Sequence, residues 1–171
     1  MTKFTSALLA CLLCSSAAFG FDPIGFIKKT VGDEGDVTAG FSRDNRLDVV
    51  KDDVYKLMWQ DGSDIFKGNY DEAQKYCKNL TFADYDNWRL PTVNELLSIT
   101  DDTRHNPAIN KAFKNIAYKI NDKGEKIYGR YWSQTTYPGV SPSAWVVSFW
   151  DGGDFWCDVS DRCFVRCVRD Y

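Results

Sequence analysis

Positive charge and histidine are scarce in this 171-residue chain. Lys and Arg number 21 against 24 Asp and Glu, and the only histidine is His105. This acidic balance argues against a nucleic-acid partner, because phosphate recognition normally needs a basic face. A lone histidine in a polar segment is also a poor candidate for a catalytic group.

Motifs of catalysis are missing as well. The sequence has no recognisable Ser-His-Asp arrangement, no glycine loop that could cradle a phosphate and no paired-carboxylate motif. Internal repeats, low-complexity tracts and basic amphipathic stretches are absent too. These absences predict a protein that is not an enzyme.

Metal-binding patterns are incomplete. A zinc site made of Cys157, Cys163, Cys167 and His105 would lack paired Cys-x-x-Cys spacing. Short acidic turns offer oxygen ligands for calcium, but none fits the full loop pattern that ends in Glu. These turns are Asp61-Gly62-Ser63-Asp64, Asp151 with Asp154, and Asp158 with Asp161. We therefore expect no cofactor, and calcium has no motif to support it.

Long apolar runs are confined to the N-terminus. A largely apolar segment, residues 4–13, follows Lys3 and precedes a cluster of small residues. This is the pattern of a signal peptide, here residues 1–20, with cleavage after Gly20. The apolar segment is about half the roughly 20 residues that a spanning helix needs. We expect an exported protein that is periplasmic, secreted or surface-associated, with no spanning segment in the mature chain.

A second interpretation of the leader remains open. Leu8-Leu9-Ala10-Cys11 resembles a lipobox, which would make Cys11 the lipidated first residue of a lipoprotein. The apolar region before Cys11 would then be very short for a leader, which usually has at least about 7 apolar residues. Cleavage after Gly20 is therefore the favoured prediction.

Removal of the leader leaves 171 − 20 = 151 residues, a length typical of one domain with a real core. Residues 21–46 are rich in Gly and Asp and are predicted to form an N-terminal arm or linker. Residues 47–171 are predicted to form the domain. It opens with two short strands, residues 47–50 and 54–59.

Two capping boxes mark the starts of helices. They are Asn69 with Glu72, and Thr92 with Glu95. The first helix carries Cys77 on its apolar face, and the second is short. A third helical turn is predicted to start at Asn106-Pro107.

Beyond residue 129 the sequence indicates strands separated by short turns. The predicted strands are residues 130–136, 144–150, 154–159 and 163–169. Short turns join antiparallel neighbours. The whole pattern predicts an α+β domain in which two or three short helices precede an antiparallel β meander.

Four of the six cysteines lie beyond the leader, at Cys77, Cys157, Cys163 and Cys167. With a secretory leader, an even cysteine count is typical of a disulfide framework in an oxidising compartment. Four cysteines allow three pairings, and the residues alone leave all three open.

An ordered set of segments carries a family resemblance. It comprises Leu57-Met58-Trp59-Gln60, the helix with Cys77, Asn87-Trp88-Arg89-Leu90-Pro91-Thr92, Tyr131-Trp132-Ser133, Ala144-Trp145-Val146-Val147 and Val165-Arg166-Cys167-Val168-Arg169. Over about residues 47–171 the chain resembles the Lcl C-terminal domain family. This bacterial family is of largely unknown function and is named for the end domain of a collagen-like adhesin.

The resemblance implies a C-type-lectin-like fold, distantly similar to formylglycine-generating enzymes. It also implies a disulfide from the first helix to the last strand, Cys77–Cys167, which leaves Cys157–Cys163 as the second bridge. The enzyme relatives use a late cysteine pair, so a thiol or copper enzyme using Cys157 and Cys163 is one alternative function. Collagen repeats and the signatures of calcium-dependent lectins are missing, so neither polyanion binding nor calcium-assisted sugar binding carries over.

Large aromatic residues are dense between residues 130 and 156, too many for one small sheet to bury completely. The predicted ligand-binding residues are Tyr137, Trp150, Asp151, Asp154 and Trp156. Aromatic rings suit the apolar face of a sugar, and carboxylates suit its hydroxyl groups. We expect a domain that binds carbohydrate or a component of the cell envelope or host surface. A protein–protein interaction module and a structural envelope module are the alternatives.

One further motif is predicted to be architectural. It consists of Trp88, Arg89, Leu90, Pro91, Thr92 and Glu95. Pro91 and Thr92 can start a helix, while Arg89 can satisfy buried carbonyls or a carboxylate such as Glu95.

Overall fold

The computed structural model describes residues 40–139 and 142–171. The predicted signal peptide, the alternative at Cys11 and residues 21–39 of the predicted arm lie outside these residues. In chain order the elements are β1 (Phe41–Asp44), β2 (Val49–Asp52), β3 (Leu57–Gln60), β4 (Lys67–Gly68), α1 (Tyr70–Asn79), α2 (Val93–Ser98), β5 (Tyr118–Ile120), β6 (Lys126–Tyr128), β7 (Arg130–Thr136), β8 (Ser143–Ser148), β9 (Asp154–Asp158), β10 (Cys163–Phe164) and β11 (Val168–Asp170). The predicted α+β class is confirmed.

The first sheet has four antiparallel strands in the order β1, β2, β3 and β11. Trp59 lies at its centre, opposite Val50 on β2 and Val168 on β11. Strand β1 pairs with β2 and buries both Phe41 and Arg43. The sheet therefore begins inside the segment predicted as an arm, because Phe41 and Arg43 are buried in the interior of the domain. The predicted boundary at residue 47 falls within this sheet, between β1 and β2.

The second sheet has five strands in the order β4, β10, β7, β8 and β9. Its strand pairs are antiparallel except for β10 with β7. Two strands, β7 and β8, separate β10 from β9. Strands β5 and β6 form a separate hairpin.

The central strands of both main sheets are buried on both faces. Along β2, Val49 points into one cluster of buried side chains and Val50 into another, and Trp132 and Tyr131 divide in the same way along β7. Successive residues of a strand point to opposite faces, so a strand covered on both sides is apolar without alternation. This explains short apolar runs such as Leu57-Met58-Trp59 on β3.

Helix α1 begins where the first capping box predicts. The Asn69 side chain accepts a hydrogen bond from the Glu72 N–H at 2.9 Å, and the Glu72 carboxylate accepts one from the Asn69 N–H at 3.0 Å. The helix buries Ala73 and Cys77. The inward position of Cys77 is therefore confirmed.

Helix α2 begins at the second capping box. Thr92 accepts a hydrogen bond from the Glu95 N–H, and Glu95 accepts one from the Thr92 N–H at 2.7 Å. Two guanidinium nitrogens of Arg89 each lie 2.8 Å from a carboxylate oxygen of Glu95. The backbone of Arg89 also bridges to Val168 on β11. These contacts hold the start of α2 against the first sheet.

The third helical turn predicted at Asn106-Pro107 does not form: among residues 101–117, all of them described, there is no helix. The backbone N–H groups of this segment pair with other elements instead. Asn106 donates to the Trp150 carbonyl at 2.7 Å and Ala108 to the Phe149 carbonyl at 2.9 Å. Asn110 donates to the Ile99 carbonyl at 3.0 Å. Tertiary hydrogen bonds replace the i to i−4 bonds that a helix needs.

The predicted strand 163–169 is two strands, β10 and β11, which belong to different sheets. Between them the chain crosses from one sheet to the other, and the Val165 N–H donates to the Phe66 carbonyl at 3.0 Å. Arg166 in the crossing is buried rather than exposed. The closing region is therefore not a single meander. At the crossing, the buried Arg166 pairs with the buried carboxylate of Asp61.

Candidate functional site

Cys77 on α1 and Cys167, the residue before β11, form a disulfide with their Cα atoms 5.5 Å apart. Both residues are fully buried. The bridge implied by the family resemblance is therefore confirmed. It ties the first helix to the end of the chain.

The second predicted bridge, Cys157–Cys163, is wrong for this structure, in which both residues are free thiols. Both residues nevertheless line the same pocket. A dithiol and a disulfide differ by two electrons and two protons.

The predicted ligand residues, which are Tyr137, Trp150, Asp151, Asp154 and Trp156, are divided between two places. Trp150 lies in the turn after β8, and its ring packs edge-on against His105 with 4.6 Å between ring centroids. Asp151 accepts a hydrogen bond from the Gly153 N–H within the same turn. Trp150 also lines a pocket with Cys157, whose side chain lies on the side of β9 opposite to Trp156.

A second set of aromatic residues lies along β8, β9 and the loop after β7. Trp156 on β9 lies directly opposite Trp145 on β8. Tyr137 stacks on Trp156 with 5.8 Å between centroids and 13° between planes, and it meets Trp145 edge-on at 4.9 Å. We call Tyr137, Trp145 and Trp156 the aromatic face. Trp156 is 48% exposed, and the exposed carboxylates of Asp154 and Asp158 flank it on the same side of β9.

The opposite side of β9 faces a pocket of about 430 Å³. Its charged lining residues are Lys67, Lys119, Arg130, Arg162 and Asp161. Four cations therefore line it against one carboxylate, and we call it the basic pocket. Within the described chain only Arg162 among these cations forms an ion pair, with Glu72 at 3.0 Å. Sequence motifs give no signal for this pocket, because its cations come from four separate segments of the chain.

Cys157 and Cys163 both line the basic pocket. The neighbouring Cys163 thiol and the Arg130 guanidinium, whose Nη1 lies 3.9 Å from the Cys157 sulfur, together lower the pKa of Cys157 to about 6 against the opposing effect of burial. The interaction with Cys157, together with burial, raises the pKa of Cys163. The Arg130 guanidinium also lies 5.0 Å from the Phe155 ring. Cys157 is thus the more acidic thiol of the pair.

Asp61, which the sequence offered as a calcium ligand, has a different role. Its carboxylate is fully buried and pairs with the buried guanidinium groups of Arg43 and Arg166. It also accepts a hydrogen bond from the Lys114 N–H at 2.9 Å. Its oxygens are therefore occupied by an internal ion network.

Two sheets, two capped helices and a buried disulfide between the first helix and the chain end define a disulfide-bonded α+β domain. The chain belongs to the Lcl C-terminal domain family, whose model matches residues 48–169. No curated protein matches the chain. Neither described helix has both the length and the apolar character that crossing a membrane requires.

Proposed function

We propose that the protein is an exported, non-catalytic binding domain that recognises carbohydrate through the aromatic face. The observation that carries this proposal is the stacked pair of Tyr137 and Trp156, which presents ring surface to solvent beside Trp145. Aromatic rings bury large apolar areas and prefer defined packing geometries. The C–H face of a pyranose ring provides a matching surface.

The polar neighbours of the rings support the same ligand class. Asp154 and Asp158 lie two residues to either side of Trp156, so their carboxylates can accept hydrogen bonds from sugar hydroxyl groups. Asp158 is held in place by hydrogen bonds from the backbone and hydroxyl of Ser160, at 2.8 and 2.6 Å. These hydrogen bonds also lower the pKa of Asp158. The carboxylate is therefore an acceptor across the physiological range.

We further propose a C-type-lectin-like fold and an exported location. The disulfide between the first helix and the chain end supports the fold, since it is the bridge that the family resemblance implies. A disulfide is typical of an oxidising compartment, which agrees with the predicted leader at residues 1–20. We propose no resident cofactor.

The test is binding of the leader-free chain to a broad glycan panel, with and without calcium, followed by calorimetry on any glycan that binds. Trp156→Ala removes the exposed ring and is expected to weaken binding by about tenfold or more, the equivalent of 1.4 kcal/mol. Phe155→Ala is the matched control, because Phe155 is the next residue on β9, is 38% exposed and faces the other side of the strand.

Loss of binding in Trp156→Ala but not in Phe155→Ala would support the aromatic face as the site. Equal effects of the two variants would exclude it. If no glycan binds above background, the carbohydrate proposal fails and a protein partner or a structural envelope role takes its place.

A further inference from the structure

We propose that Cys157 and Cys163 form a reactive dithiol that exchanges with small anionic disulfides bound in the basic pocket. The reaction is stoichiometric and ends in a Cys157–Cys163 bridge. It uses the side of β9 opposite to the aromatic face, so it stands or fails independently of carbohydrate binding.

Geometry provides the first argument. Cys157 and Cys163 are free thiols only six residues apart in the chain, on strands β9 and β10 of one sheet. Both cysteines are largely buried but line the basic pocket. A ligand in the pocket can therefore reach Cys157 and Cys163, whereas the Cys77–Cys167 bridge is fully buried.

Electrostatics provide the second argument and select the ligand. Arg130 lies 3.9 Å from the Cys157 sulfur, and among the described residues it has no carboxylate partner. A thiolate is the nucleophile in disulfide exchange, and a neighbouring guanidinium stabilises it. The surplus of cations around the pocket favours a disulfide that carries carboxylates over a neutral one.

The reaction has two balanced steps. The Cys157 thiolate attacks one sulfur of the ligand R–S–S–R, so that a Cys157–S–R bond forms and one RS⁻ leaves. The Cys163 thiol then loses its proton to that thiolate or to water, and its sulfur attacks Cys157. A Cys157–Cys163 bond forms and the second RS⁻ leaves. The protein dithiol is oxidised by two electrons, and the ligand disulfide is reduced to two thiols.

The test uses the leader-free chain after mild phosphine treatment that leaves Cys77–Cys167 intact, as shown by a count of two free thiols. The probes are the dianionic disulfide 5,5′-dithiobis(2-nitrobenzoate) and the neutral disulfide 2,2′-dithiodipyridine. Each is expected to release two equivalents of chromophore per protein and to leave a Cys157–Cys163 bridge that peptide mapping detects. The rate should rise with pH through a midpoint near 6, well below the value of about 8.5 for a free cysteine.

Variants separate the roles of the two sulfurs and of the charge. Cys163→Ser should stop at a mixed disulfide on Cys157 with one equivalent released, and Cys157→Ser should lose the acidic midpoint. Arg130→Gln should slow the anionic probe at least about fivefold more than the neutral probe, because it removes attraction as well as thiolate stabilisation. Lys123→Gln, in the exposed turn between β5 and β6, removes the same charge elsewhere and should leave that ratio unchanged.

Three results would overturn the proposal. The first is the finding that a Cys157–Cys163 bridge can be reduced only under conditions that also reduce Cys77–Cys167, because exchange requires a bridge that the ligand can reach. Another is a mixed disulfide that maps to Cys163 rather than Cys157 in the wild-type chain trapped early. The third is an unchanged ratio of the two probe rates in Arg130→Gln, which would show that the basic pocket does not select anionic ligands.

Discussion

At the scale of single residues, Asp61 is the most heavily engaged carboxylate of the described chain. It lies between two buried guanidinium groups and also accepts a backbone hydrogen bond from the segment that follows α2. The Arg166 guanidinium rests 4.8 Å from the Phe113 ring. Charge, hydrogen bonding and aromatic packing therefore meet at one position of the core.

We predict that Asp61→Ala lowers the free energy of unfolding by about 3–5 kcal/mol, because it leaves two buried cations without their partner. Urea denaturation followed by fluorescence measures this change. Asp64→Ala is the matched control, since Asp64 is an exposed carboxylate three residues away, and its effect should stay within about 0.5 kcal/mol. Similar losses in the two variants would contradict the assigned role of Asp61.

Glu95 gives a prediction for pH dependence. Burial alone raises its pKa, but hydrogen bonds from Arg89 and Thr92 outweigh burial and lower it below the ordinary value. A carboxyl with a lower pKa in the folded state stabilises the fold above its unfolded pKa of about 4.3 and loses that contribution as pH falls through the folded pKa.

We therefore predict that Glu95→Gln flattens the fall in stability between about pH 5 and pH 3. Urea midpoints measured across this range provide the test. Glu125→Gln, which removes an exposed carboxylate on the β5–β6 hairpin, should leave the wild-type slope. An unchanged slope in Glu95→Gln would show that the Arg89 pair contributes nothing to acid stability.

At the scale of elements, the contacts of α1 join the start and the end of the domain. Its Asn69–Glu72 capping box fixes its first turn, and Cys77 near its end is bonded to Cys167, 90 residues later. A second long connection runs from Arg89 to Val168 on β11. The last strand is therefore held in place by two contacts with the first half of the domain, one from α1 and one from Arg89.

Removing the Cys77–Cys167 bridge by a double Ala substitution should lower the free energy of unfolding by about 2–5 kcal/mol, because the unfolded chain regains the freedom of a long loop. The double variant Cys157→Ala with Cys163→Ala is the control, since it removes two buried sulfurs without opening a bond. Denaturation curves of the two should differ clearly. Equal losses would mean that sulfur packing, and not the cross-link, is what stabilises the fold.

At the scale of the whole molecule, strand β9 separates two chemically distinct surfaces. Trp156 points to the aromatic face, whereas Cys157 points to the basic pocket. The first surface combines rings with carboxylates, and the second combines thiols with cations. Two ligand chemistries can therefore coexist on one small domain, because alternate side chains of a strand face opposite sides.

The extent of the domain gives a further prediction. Deleting residues 21–46 should lower stability by at least about 3 kcal/mol more than deleting residues 21–39, because only the longer deletion removes Arg43, which pairs with the buried Asp61. Thermal and urea unfolding of the two deletions test this. If both deletions behave alike, β1 does not belong to the stable core.

Local chemistry allowed the sequence alone to determine much of this protein. The capping boxes at Asn69 and Thr92 satisfy backbone groups within one turn, and strand β7 has the predicted bounds because its flanking turns are encoded nearby. The α+β class, the family and the Cys77–Cys167 bridge could also be anticipated.

The tertiary structure alone decided the features that depend on distant partners. Residues 106–110, predicted to begin a helical turn, instead form backbone hydrogen bonds with other segments. Arg166 is buried and pairs with Asp61. The tertiary structure also grouped Tyr137 with Trp145 and Trp156 while placing Trp150 elsewhere, and it gathered Arg130 and the two thiols in one pocket. Sequence patterns report the preferences of neighbouring residues, whereas these arrangements follow from strand pairing and from contacts between residues that are far apart in the chain.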